Sequence, residues 1–125
     1  MTNDWIYRAA AAAFLGAALY HLAAIVIPRF ETFAYPYGYP LWRHLLFIAI
    51  NLSMAWLLLK QVRWVVWLVA LMTIQIYVGH GRYVWTTWIR ESRIAWIDLL
   101  TTVGASAFLL LLIATRRSAH GVRLS

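Results

Sequence analysis

Three histidines and one carboxylate, His21, His44, His80 and Asp98, stand within or at the edge of long apolar segments. A polar side chain is expensive there and commonly marks a site. Imidazole supplies a neutral nitrogen donor, and with a carboxylate it matches the ligand types of a zinc, copper or iron centre. No two of these histidines form a His-x-x-x-His pair, so a metal site made of His21, His44, His80 and Asp98 has to be assembled from separate helices. His21 and His44 are the histidines deep enough to hold a haem between axial imidazoles. A quinone-type head group, hydrogen-bonded by His44 or His80 and stacked on Trp or Tyr, makes a smaller geometric demand. Asn51 and Gln75 add two amides, giving a candidate ligand set of His21, His44, Asn51, Gln75 and Asp98.

Each of these residues also has a purely architectural reading. A neutral imidazole can bond a carbonyl, threonine or aspartate on a neighbouring helix and hold two helices together. That role suits His80, whose Gly79-His80-Gly81 setting resembles a helix end terminated by glycine, and His120, which lies in a basic tail. Asp98 suits an ion pair with Arg43, Arg82 or Arg93.

The elements that position these residues follow from composition. The chain is 64% hydrophobic and 12% charged, too few charges to cover a water-exposed surface, so its solvent is lipid. Four apolar segments approach the length of about 20 residues that a span needs: 9–27, 41–59, 62–79 and 94–115. The expected fold is all-α, an integral membrane bundle of four transmembrane helices forming a single domain over 1–125. The apolar run after Arg8 is long enough to span and lacks a clear small-x-small cleavage site, which disfavours a signal peptide.

Only Lys60, Gln61 and their neighbours separate the second and third spans, which forces a tight helical hairpin. The connection from Pro28 to Pro40 is broken by prolines and Gly38, and its aromatics suit the headgroup zone. The connection from His80 to Arg93 carries Val84, Trp85, Trp88 and Ile89 at helical spacing beside arginines, the pattern of a short helix lying in the interface. Trp5, Trp42, Trp64, Trp85, Trp88 and Trp96 fall near span ends, as an aromatic belt requires.

The formal charge of +7 flanks the apolar segments, where it meets lipid phosphates, so no nucleic-acid partner is expected. Lys and Arg number six on the side of the termini and five on the other, which, with the short Lys60/Arg63 loop, places both termini in the cytoplasm of a bacterial inner membrane. Without cysteine there is no disulfide, thiol couple or thiolate metal site.

Within each span the polar residues share a face with small ones. These faces are Ala13, Ala17, His21 and Ala24; His44, Ile48, Asn51 and Ala55; Met72, Gln75 and Gly79; and Asp98, Thr101, Thr102 and Ala105. Counting residues to the loops puts His21, His44, Gln75, His80 and Asp98 in the half nearest the two aromatic connections, which then act as a lid over a polar pocket. Glu31 and Glu91 join Arg43 and Arg82 at its rim.

The leading functional expectation is therefore a membrane protein binding a small ligand or cofactor (a quinone-type head group, a metal or haem) at that end. The alternative is an accessory or anchor subunit of a larger membrane complex, or a homo-oligomer, packed through the alanine-rich face Ala9 to Ala18. A lipid-modifying enzyme using His44 and Asp98 as acid and base ranks third, because no nucleophile or metal-phosphate motif accompanies them. No motif of a known family can be placed on these residues.

Overall fold

The computed structural model describes residues 4–27 and 40–121, with side chains through 115. The lid expected over 28–39 and the basic tail beyond 115 lie outside the described side chains. Every described element is helical: α1 (Asp4–Val26), α2 (Leu41–Leu59), α3 (Val65–Ile76), a π-helical turn (Tyr77–Gly81), α4 (Arg82–Glu91) and α5 (Trp96–Gly121). Val65 to Glu91 run as one 27-residue helix, so the described residues form four helices long and apolar enough to cross a membrane.

Local chemistry sets the ends of these helices. Alanine, the best helix former, fills the first half of α1, and Asp4 places a carboxylate at its positive N-terminal dipole. Pro40 precedes α2 in an extended conformation, with its fixed φ at −61°. The turn after α2 places Gln61 at φ 51°, and α4 ends on Ser92 at φ 49°. Left-handed residues of this kind terminate a right-handed helix.

The glycines do not behave in this way, and the expectation of a helix end at Gly79-His80-Gly81 is corrected. Gly81 keeps a right-handed φ of −62°, and the helix passes through the π turn into α4 without a break. The amphipathic segment read as a separate interfacial helix is thus the last ten residues of the third long helix. Glycine ends a helix only where it adopts positive φ, and here that task falls to Ser92.

The chain divides into two compact units, Tyr7–Val62 and Arg63–Ser125 with Met1–Ile6. In the first, α2 buries His44, Asn51, Met54, Ala55 and Leu58 along one stripe, while Ile48, expected on the same face, is half-buried. On α1 the buried alanines are Ala10, Ala11, Ala18 and Ala24, while Ala13, expected on this face, is exposed.

In the second unit, α3 and α5 pack against each other and both contact the π turn. Helix α3 buries Val65, Val66, Val69 and Thr73, whereas Met72, Gln75 and Gly79, expected to face inward, are only half-buried. Asp98, Thr102 and Leu112 are buried on α5.

Between 17% and 28% of the most apolar stretch of each long helix is buried. All eight tryptophans are exposed, by 51% to 70%, and each lies within two turns of a helix end. So much exposed leucine and tryptophan is unfavourable in water, and the tryptophan placement is that of side chains at a membrane interface.

Candidate functional site

The first unit brings two expected residues together. His21 on α1 and His44 on α2 place their Nδ1 atoms 3.2 Å apart. One ring must donate an Nδ1 proton and the other accept it, so the neutral pair holds opposite tautomers. His44 is 4% exposed, and His21 stacks on Phe47 with ring centres 5.1 Å apart and planes 11° from parallel. Tyr20 meets the His21 ring edge-on at 5.7 Å, and the Arg43 guanidinium lies 5.8 Å from the Phe47 ring centre.

Helical spacing explains the cluster, since His44, Phe47 and Asn51 follow i, i+3, i+7 on one face of α2. The Asn51 amide donates to the Phe47 carbonyl at 2.7 Å, a bond within its own helix. That bond satisfies a buried amide and fixes the backbone carrying Phe47.

The second unit contains a different pair. His80, in the π turn, donates its Nδ1 proton to Asp98 Oδ1 on α5 at 2.7 Å, with the carboxylate side chain 5% exposed and the imidazole 35%. A polar ladder continues from this pair along α5. The Thr102 hydroxyl donates to the Asp98 carbonyl at 2.8 Å, and Ser106 donates to the Thr102 carbonyl at 2.9 Å. With its proton so engaged, Ser106 Oγ accepts from the Tyr77 hydroxyl at 3.0 Å. The Cβ position of Gly81 lies 3.8 Å from the Thr102 methyl, so the π turn packs directly on this ladder.

Two expectations change here. His80 is not the terminal residue of a helix but the cross-helix partner of a buried carboxylate, and Asp98 takes this imidazole rather than an arginine. Arg93 pairs instead with Glu91, donating from Nε and Nη2 at 3.2 and 2.9 Å. The bond to Glu91 holds the Arg93 guanidinium above its ordinary pKa, with the Tyr83 side chain adding to the effect. Both partners are exposed, so this pair contributes little to stability.

Of the residues expected to ligate a metal, His21 joins His44 in one unit and His80 joins Asp98 in the other. Among the described residues, no group of three or more His, Asp or Glu side chains is placed to hold a metal ion. Gln75 makes no side-chain hydrogen bond among the described residues, and its Nε2 is 3.8 Å from the Cβ position of Gly79.

Sequence reasoning missed Phe47, Tyr77, Ser106 and Thr87. The first three were accessible in principle, because Phe47 is i+3 from His44, Tyr77 is i−3 from His80, and Ser106 is i+8 from Asp98. Thr87 is 2% exposed, and its hydroxyl has no hydrogen-bond partner among the described residues. No sequence pattern announces that.

Compared with protein-family models, with characterised proteins and with solved structures, the chain matches none, so its functional reading rests on the geometry of these two pairs.

Proposed function

We propose that the chain is a multi-pass membrane protein, a four-helix bundle of the bacterial inner membrane with both termini cytoplasmic, that binds a quinone-type head group at His21 and His44. The observation that carries this reading is the contact of two imidazoles from different helices at 3.2 Å, one buried and the other stacked on Phe47. A flat conjugated ring is recognised by stacking and by hydrogen bonds to its carbonyl oxygens. His21, Tyr20 and Phe47 supply rings, and the neutral imidazole pair keeps one N–H for a carbonyl oxygen, at Nε2 of the ring whose Nδ1 accepts. Exposed tryptophans at the helix ends support the membrane assignment, and the short basic turn at Lys60 and Arg63 supports the orientation.

The test is a titration of protein purified in mild detergent with a short-tailed quinone, followed by quenching of tryptophan fluorescence. His21→Phe and His44→Phe are each expected to weaken binding about tenfold, the value of roughly one net hydrogen bond. Equal affinity in the wild type and both variants would discard this reading.

The 3.2 Å separation also favours a second reading, since two imidazole nitrogens each about 2.0–2.1 Å from one tetrahedral ion stand roughly 3.3 Å apart. His21 and His44 would hold such an ion as neutral nitrogen donors, and their close approach suits a small metal ion better than a haem. Near-stoichiometric metal by elemental analysis, lost in His21→Ala and His44→Ala, would establish it. A ligand-free protein co-purifying with a stable partner would instead indicate an accessory subunit.

A further inference from the structure

We infer that His80 and Gln75 form a second ligand site, one that takes the hydroxyl group of an amphiphile, with Asp98 as its positioning residue. The site lies in the other unit from His21 and His44 and does not rest on their reading.

The direction of the His80–Asp98 bond starts the argument. With Nδ1–H donated to the Asp98 carboxylate at 2.7 Å, a neutral His80 carries its lone pair on Nε2. Asp98 is nine-tenths buried and fixed on α5, so it holds the ring in this tautomer as second partners of catalytic and ligating histidines do. Nε2 makes no further hydrogen bond among the described residues, and the ring is 35% exposed, so the acceptor is accessible. An imidazole serving only to join two helices needs Nδ1 alone.

The π turn adds a donor. Closing a turn with i to i+5 bonding inserts about one residue relative to an α-turn, which delays the helical phase by roughly one position. His80 therefore moves toward the place that Gly79 would take in an unbroken helix, one turn beyond Gln75. The Gln75 amide is half-buried and unpaired among the described residues, beside a glycine whose missing side chain leaves room there. An amide left unpaired in an apolar setting is unfavourable until a partner meets it. Acceptor and amide together match a hydroxyl, which donates one hydrogen bond and accepts another. Surrounding lipid-type surface, including exposed Ile74 and Val78, selects a ligand with an apolar body.

Hydroxyls of this kind occur on hydroquinones and on glycerolipids, and the experiment separates the two sources. Purified protein is titrated with a short-tailed hydroquinone kept reduced, with the corresponding quinone, and with dioctanoylglycerol. At least one hydroxyl ligand is expected to bind, and His80→Phe and Gln75→Leu to weaken it about tenfold and severalfold. Asp98→Asn retains a partner for Nδ1 but lets its amide donate, freeing the opposite tautomer. It is expected to erase the preference for hydroquinone over quinone, a readout that loss of packing does not produce. Binding of hydroquinone alone assigns a quinol-type ligand, and binding of dioctanoylglycerol alone assigns a lipid. Failure of both to bind, or affinities unchanged in His80→Phe and Gln75→Leu, would overturn the inference, whatever the His21 and His44 variants do.

Discussion

The two units solve the same problem, an imidazole inside an apolar helix pair, with different partners. In the α1–α2 unit His21 meets another imidazole, a neutral contact that needs one Nδ1 proton and one Nδ1 lone pair. In the α3–α5 unit His80 meets a carboxylate, a contact that holds for either the neutral or the charged ring. The first pair is therefore sensitive to what protonates or ligates it, while the second is an anchor with a fixed orientation. Aromatic stacking surrounds the first, and a ladder of hydroxyls along α5 continues the second.

The strongest way to break this comparison is to remove Asp98. Asp98→Ala leaves His80 without its cross-helix acceptor and empties a buried position, and a hydrogen bond to a charged group contributes about 1.5–3 kcal/mol. A destabilisation of about 2 kcal/mol is expected, read as reduced resistance to unfolding in mixed detergent. His44→Phe should cost about half as much, since a neutral hydrogen bond contributes near 1 kcal/mol and the new ring keeps its contact with His21. A larger loss for His44→Phe than for Asp98→Ala would reverse the assignment of anchor and sensitive pair.

The asymmetry was only partly legible in the sequence. Four long apolar helices, and the inward stripe of α2 through His44, Asn51 and Ala55, follow from hydropathy and a 3.6-residue period. His80 was misread because Gly79 and Gly81 resemble a stop signal, and composition does not reveal which φ a glycine takes. The buried face of α3 runs through Val66, Val69 and Thr73 rather than through Met72 and Gln75, so Thr73 is buried where Gln75 was expected. Pairing His80 with Asp98 requires knowing how α3 and α5 lie side by side, a tertiary fact that neither segment encodes alone.

A sharper test of where the third helix ends uses Ser92, the left-handed residue after α4. A non-glycine residue in this conformation carries a cost of about 1 kcal/mol, which glycine avoids. Ser92→Gly is expected to stabilise the protein by somewhat less than 1 kcal/mol, seen as a small rise in Tm in detergent. Destabilisation would mean that the helix does not terminate there.

The smallest effect decides between a continuous and a broken third helix. At Gly81 an added Cβ meets the Tyr77 ring at 3.5 Å and the Thr102 methyl at 3.8 Å, both ordinary contacts. Its backbone is right-handed, so alanine introduces no strain and recovers part of the roughly 1 kcal/mol by which glycine weakens a helix interior. Gly81→Ala should therefore be neutral or stabilising by about 0.5 kcal/mol. A helix that ended here on a left-handed glycine would instead lose about 1 kcal/mol or more in the same variant, because alanine resists positive φ. The sign of this change separates the two structures, and it bears on His80 directly. Only in a continuous helix does the π turn carry the imidazole to Asp98 and leave its second nitrogen free for a ligand.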